Sequence, residues 1–165
     1  MYPQPMRLAC VVFSALLGIA LAGCRDTPGA PDTAPLLPLA EQGRTPGQSA
    51  LRLATVDFYG DSSMIAVPDT AHAGDPVSVG FATYGGGCTG EDTTVASVVG
   101  SRAEIVPYQR VYTPRPNEGC TSELRINRRS VHVSFAAPGL AQVIVIGRTQ
   151  PADSIIHIVR AIVIR

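Results

Sequence analysis

The stretch TYGGGCTGED, residues 83–92, packs four glycines, a cysteine and two acids into ten residues. A phosphate cradle, a metal site, a nucleophile loop or a stapled turn could each use such a set. A phosphate loop of the P-loop kind ends in Gly-Lys and opens a helix; this chain has no lysine, and a strand pattern follows. Calcium takes roughly six to eight oxygen ligands, far more than Glu91, Asp92 and two neighbouring threonines supply. His72, His132 and His157, with Met64 as a soft ligand, raise copper or zinc, but no Cys, His and Met fall close together and no CxxC spacing occurs. GxSxG and HExxH are absent, and Ser-x-x-Lys is impossible without lysine. Glu104 and Glu123 are candidate paired carboxylates only if the fold brings them together. The expectation is no enzyme, no metal and no cofactor, with TYGGGCTGED as a turn whose glycines let backbone approach a bridge closely.

Recognition chemistry concentrates further along. YQRVYTPRPNEGCTSELRINRR, residues 108–129, carries Tyr108 and Tyr112 with Arg110, Arg115, Arg125, Arg128 and Arg129 around a proline-containing loop. Tyrosine and arginine are enriched at binding hot spots, and a stapled loop loses less entropy on binding. These seven residues form the candidate binding surface, set against the plainer alternative of a solvated strand rim. The whole chain balances 13 basic against 13 acidic residues, so electrostatic capture of nucleic acid is not expected.

The N-terminus carries an address. Arg7 precedes Leu8–Ala22, 15 uncharged residues, the length of a signal-peptide core and short of the roughly 20 needed to span a bilayer. The run closes in Leu21-Ala22-Gly23-Cys24, which resembles the lipobox of bacterial lipoproteins. That resemblance implies cleavage after Gly23 and acylation of Cys24, which would hold the protein on a membrane by two or three chains. Arg25 rather than aspartate follows Cys24, with Asp26 one place later; by the same resemblance the outer membrane is favoured where the organism has one. The implied partners are the membrane and an envelope protein or polysaccharide.

Cysteine arithmetic follows from the address. Cys10 leaves with the signal peptide and Cys24 takes the lipid, so Cys88 and Cys120 remain as an even pair in an oxidising compartment. A disulfide is expected, joining YGGGC to NEGC across the base of a hairpin; a two-thiol metal site is the alternative.

These residues need elements to hold them. Residues 25–50 carry five prolines and three glycines with no apolar period and read as a flexible tether, in which APLLPLA is the one apolar patch. From Leu51 the texture turns to short alternating runs: LRLATVDF (51–58), MIAV (64–67), VSVGFATY (77–84), TTVASVVG (93–100), AEIVPYQRVY (103–112), SELRIN (122–127), SVHVSFA (130–136), AQVIVIG (141–147) and SIIHIVRAIVI (154–164). The last two are apolar on both faces, so at least one should lie centrally. AGDPVSVGF and SFAAPGLAQVIVIGR are similar to the phrasing of bacterial immunoglobulin-like domains, which implies an all-β immunoglobulin-like β-sandwich.

The chain therefore divides into a signal peptide (1–23), a lipidated cysteine and tether (24–50) and a sandwich domain (51–165). The leading expectation is a membrane-anchored envelope lipoprotein acting as a non-catalytic binding or accessory module. A small envelope enzyme or metal carrier built from distant residues, and a protease inhibitor presenting the 113–120 loop, stay open.

Overall fold

The computed structural model describes residues 45–165. The signal peptide, Cys24 and the tether through residue 44 lie outside the described residues. Ten strands and no helix occur among the described residues: β1 (Ser49–Leu53), β2 (Thr55–Phe58), β3 (Asp61–Ser62), β4 (Thr70–Ala71), β5 (Val77–Gly85), β6 (Thr89–Val99), β7 (Arg102–Tyr112), β8 (Arg125–Val133), β9 (Gly139–Gln150) and β10 (Ile155–Ile164). The described residues are all-β, as the alternation led one to expect.

All ten belong to one curled sheet with the path β1-β7-β9-β2-β5-β8. β6 flanks β7, β10 flanks β9, and β3 and β4 pair with β2 and β10. Most ladders are antiparallel; β7 and β2 each run parallel to β9, and β4 parallel to β10. The curl carries the β5–β8 pair over the β7–β9–β10 face. Val77, Val79 and Phe81 from β5 and Val133 and Phe135 from β8 and its exit meet Ile105, Val143, Val145 and Ile162 in one core. Each such side chain contributes about 1.5–3 kcal/mol on full burial. A smaller cluster of Leu53, Val106 and Tyr108 fills the opposite face of β7 under Leu51 and Val95.

Several strands differ from the expected runs, each for a local reason. LRLATVDF breaks at Ala54, whose N–H donates to Pro107 O while its carbonyl accepts from Arg148 N–H. The chain thus leaves the edge of β7 and joins the edge of β9. Pro107 lies where β7 changes neighbour on that edge, from β9 (through Ile105) to β1 (from Tyr108), so its missing N–H breaks no ladder there. MIAV makes only a single bridge, Ala66 to Gly80. SELRIN and SVHVSFA merge into β8, which begins at Arg125. β9 is the central apolar strand, whereas β10 exposes Ile155, Val159 and Val163. β1 starts at Ser49, two residues before the expected domain boundary, and Gly47 N–H already donates to Thr113 O.

One reversal and one close approach set up the site. Tyr59 and Gly60, at φ 56° and 87°, form a two-residue turn between β2 and β3 with both central residues left-handed, as a type I′ hairpin requires. Asp57 accepts from Gly60 N–H and the Ser62 hydroxyl across it. At Gly147 a Cβ would lie 2.6 Å from both Val56 methyls. Only glycine therefore lets β2 lie beside β9 at this distance.

Candidate functional site

TYGGGCTGED resolves into the end of β5, a tight reversal and the start of β6, with Thr89 N–H donating to Gly86 O. Cys88 and Cys120 are bonded, with Cα atoms 5.2 Å apart. The bridge presses residues 121–123 against the glycines. A Cβ on Gly86 would stand 1.8 Å from Glu123 O, and one on Gly87 2.3 Å from Thr121 O, at φ 141° and 56°. The stretch is a stapled turn, and its cysteine and two of its glycines are three parts of one packing solution.

The seven residues of the candidate surface do not share one face. Tyr108 is 7% exposed and packs in the smaller cluster. Arg110 pairs with Asp92 through Nε and NH2 at 3.0 and 2.7 Å. The Thr93 N–H, then Arg110, hold the partly exposed Asp92 carboxyl below its usual range. Tyr112 donates its hydroxyl to Glu118, which also accepts from Arg115 N–H at 3.0 Å. That sharing raises the Tyr112 phenol and lowers the Glu118 carboxyl. Arg125 pairs with Glu123, and Arg128 is exposed on β8.

Arg129, next in sequence, points the other way. Its Nε donates to Thr83 Oγ1 at 3.2 Å, NH2 to Tyr108 O at 2.9 Å, and NH1 to Asp92 O, Thr93 O and Thr94 Oγ1 at 3.1–3.3 Å. Burial pulls its guanidinium below its ordinary value, with Glu91 and Asp92 pulling back. Arg129 ties β8 and β5 to β6 and β7. Glu104 and Glu123 are not a pair: each bonds an arginine two residues away. Among the described residues no three His, Cys, Asp or Glu side chains converge as a metal site would need.

A different set does converge. Along the inner face of β7, Ala103, Ile105 and Pro107 are buried, and the same face continues as Gln109 and Val111, where the apolar core ends. Arg52 stands opposite Gln109 on β1, and Thr89 opposite Val111 on β6. With Arg148, Thr149, Gln150 and Asp153 from β9 and the turn after it, these residues line a groove of about 340 Å³ walled on one side by Tyr112–Pro114. A second chamber of about 230 Å³ adjoins it, sharing Thr55, Thr89, Gln109 and Gln150 and reaching Phe58, Tyr84 and Leu124. Phe58 and Tyr84 stack at 5.8 Å between centroids.

Asp153 sits between the two arginines of the first chamber. Its Oδ1 accepts from Arg148 Nε at 2.7 Å and its Oδ2 from Arg52 NH2 at 3.2 Å; its backbone oxygen accepts from Arg148 NH2 at 2.7 Å. The arginine side chains are only 15% and 16% exposed, against 55% for the aspartate. Partial burial would raise the Asp153 carboxyl, but the Arg148 hydrogen bond and the charges of Arg148 and Arg52 outweigh it and hold it low. Sequence reasoning passed over this trio because Arg52 and Asp153 lie 101 residues apart. The one local signal was an arginine between Leu51 and Leu53, which pack in the smaller cluster and so turn Arg52 to the other face, beside Gln109. The arrangement can hold a carboxylate, hydroxyl groups and a flat apolar surface in series. No protein-family model, no curated protein and no solved structure matches the chain.

Proposed function

We propose that the protein is a lipid-anchored module of the bacterial cell envelope, non-catalytic, that binds an envelope partner in the two-chambered groove. The anchor rests on LAGC at residues 21–24 after an uncharged run of signal-peptide length. In this reading Cys24 carries the lipid, Arg25 favours the outer membrane where the organism has one, and the residues between Cys24 and β1 hold the domain off the surface. The curled sheet closing on one core is consistent with an immunoglobulin-like sandwich as the carrier.

The observation that carries the binding role is the groove itself. Polar side chains from β1, β7 and β9 converge where the inner face stops being apolar, and the disulfide fixes the neighbouring wall. A concave site with a few convergent polar groups is the ordinary form of a ligand site. A stapled wall lowers the entropy lost on binding.

Two measurements test this. Intact mass of the membrane-extracted chain, alkylated before and after reduction, should show a lipid increment on a chain beginning at Cys24 and two thiols only after reduction. A chain without lipid would remove the anchor. Hydrogen exchange of the full-length protein should then slow at 109–113 and 148–153 when fractionated envelope material is added. Unchanged exchange with every protein and polysaccharide fraction would remove the groove as the binding site.

A further inference from the structure

We infer that the groove takes an acidic saccharide, whose carboxylate replaces that of Asp153 between Arg52 and Arg148. The inference rests on the groove being the binding site. Its first support is that the molecule already holds a carboxylate there: both guanidiniums are largely withdrawn from solvent and converge on one aspartate that is not. Arginine matches carboxylates by directed, charge-assisted hydrogen bonds. Asp153 is also built to give way. It lies in the turn after β9 at φ 52°, and Arg148 NH2 holds its backbone oxygen independently of its side chain. The carboxylate can swing out while the turn stays in place.

The rest of the groove selects what is attached to the incoming carboxylate. Past the arginines the lining is hydroxyls and side-chain amides, Thr89, Thr149, Gln109 and Gln150, which suit a ring bearing several hydroxyls better than an apolar peptide side chain. Beyond them Phe58, half-buried and backed by the buried Tyr84, borders the second chamber and offers an apolar surface for the flat face of a next ring. Glu123 also lines that chamber, so an acidic ligand places its charge at the arginine end. Carboxylate, hydroxyls and apolar ring face, in that order, describe an oligosaccharide with one uronic acid, seated at the arginine end.

The exchange makes opposite predictions for adjacent residues. Removing a guanidinium should weaken binding, by about tenfold or more for the loss of a charge-assisted hydrogen bond. Removing the resident carboxylate should tighten it. The test is calorimetric titration of the full-length protein with an aldotriouronic acid (one uronic acid on a neutral disaccharide), its methyl ester and triglutamate, using wild type, Arg148→Gln, Arg52→Gln and Asp153→Asn. Unfolding curves are recorded for each, and Arg52→Gln and Asp153→Asn stand in if Arg148→Gln fails to fold. The expected result is binding of the acid trisaccharide, at least tenfold weaker binding of the ester and the peptide, loss in the arginine variants and a several-fold gain in Asp153→Asn. Equal binding of the ester overturns the carboxylate, equal binding of triglutamate overturns the saccharide, and unchanged or weaker binding in Asp153→Asn overturns the exchange. No binding of the acid trisaccharide, while envelope material still slows exchange at 109–113 and 148–153, overturns the ligand class and leaves the groove standing. No slowing by any fraction removes both.

Discussion

Arg129 and the Arg52–Arg148 pair place the same side chain, half-buried in each case, at two points of one fold with different partners. Arg129 donates only to neutral oxygens, three backbone carbonyls and two threonine hydroxyls, and these acceptors are spread over β5, β6 and β7. Arg52 and Arg148 share one carboxylate that is half in solvent at the lip of a groove. Carbonyls in a sheet cannot move away, so the first arrangement is a fixed cross-tie. A carboxylate on a turn can, so the second is exchangeable. The lesson is that the mobility of the acceptor, more than the presence of an arginine, separates a structural cation from a recognising one.

The largest effect should come from cutting the cross-tie. Arg129→Met keeps the stem and leaves the oxygens of Asp92, Thr93 and Tyr108 short of a donor, which should cost about 3–4 kcal/mol of stability. Arg129→Lys should recover little, because one ammonium cannot reproduce a planar fork reaching three strands. Arg148→Met should cost less, roughly 1–2 kcal/mol, because the exposed Asp153 it deserts can turn to water. Denaturant midpoints for the three variants check the order. Equal losses for Arg129→Met and Arg148→Met would dissolve the distinction between the two sites.

The staple sharpens the comparison from the side of the loop. Replacing Cys88 and Cys120 by alanine frees a loop with a sequence separation of 32 and should destabilise by about 3 kcal/mol. Residues 113–124 wall the groove and press on Gly86 and Gly87, so their amides should lose exchange protection first. The Arg129 ties run between strands and should persist until global unfolding. If protection in β6 and β8 falls together with that of the loop, cross-tie and groove wall are one cooperative unit and the two regions cannot be tuned apart.

Much of the frame was legible because it depends on a period of two. Val77, Val79 and Phe81, and Val133 with Phe135, are buried as their alternation requires, and Cys88–Cys120 followed from counting thiols. The same period held a signal for Arg129 that went unused. It shares parity with Val131 and Val133, so it points inward, whereas Arg128 points out. Reading the arginines of 108–129 as one surface grouped them by sequence distance, and a strand sends neighbours to opposite faces. The groove was illegible for another reason. Its arginines and aspartate come from β1, β9 and the turn after β9, and they meet only because Ala54 hands the chain from β7 to β9, a crossing that depends on Gly147 lacking a side chain. No local pattern announces where a curled sheet runs out of apolar side chains.

The smallest effect concerns pH and bears on whether Asp153 is exchangeable at all. Its carboxyl is held below the usual value in the folded protein, so the unfolded chain takes up a proton first as pH falls. The stabilisation is fully present above the unfolded value of about 4 and is lost as pH drops through the lower folded one. Asp153→Asn should therefore cost under about 1 kcal/mol at pH 7, the ordinary worth of a half-exposed pair. The difference from wild type should shrink below pH 4. Asp92 and Glu118 are also held low, so both proteins still lose stability in acid, and only the gap between their curves reports Asp153. A gap that stayed constant from pH 7 to pH 2 would mean that Asp153 acts through its turn geometry, as a fixed part of the fold like the acceptors of Arg129, and not through a charge that another carboxylate could replace.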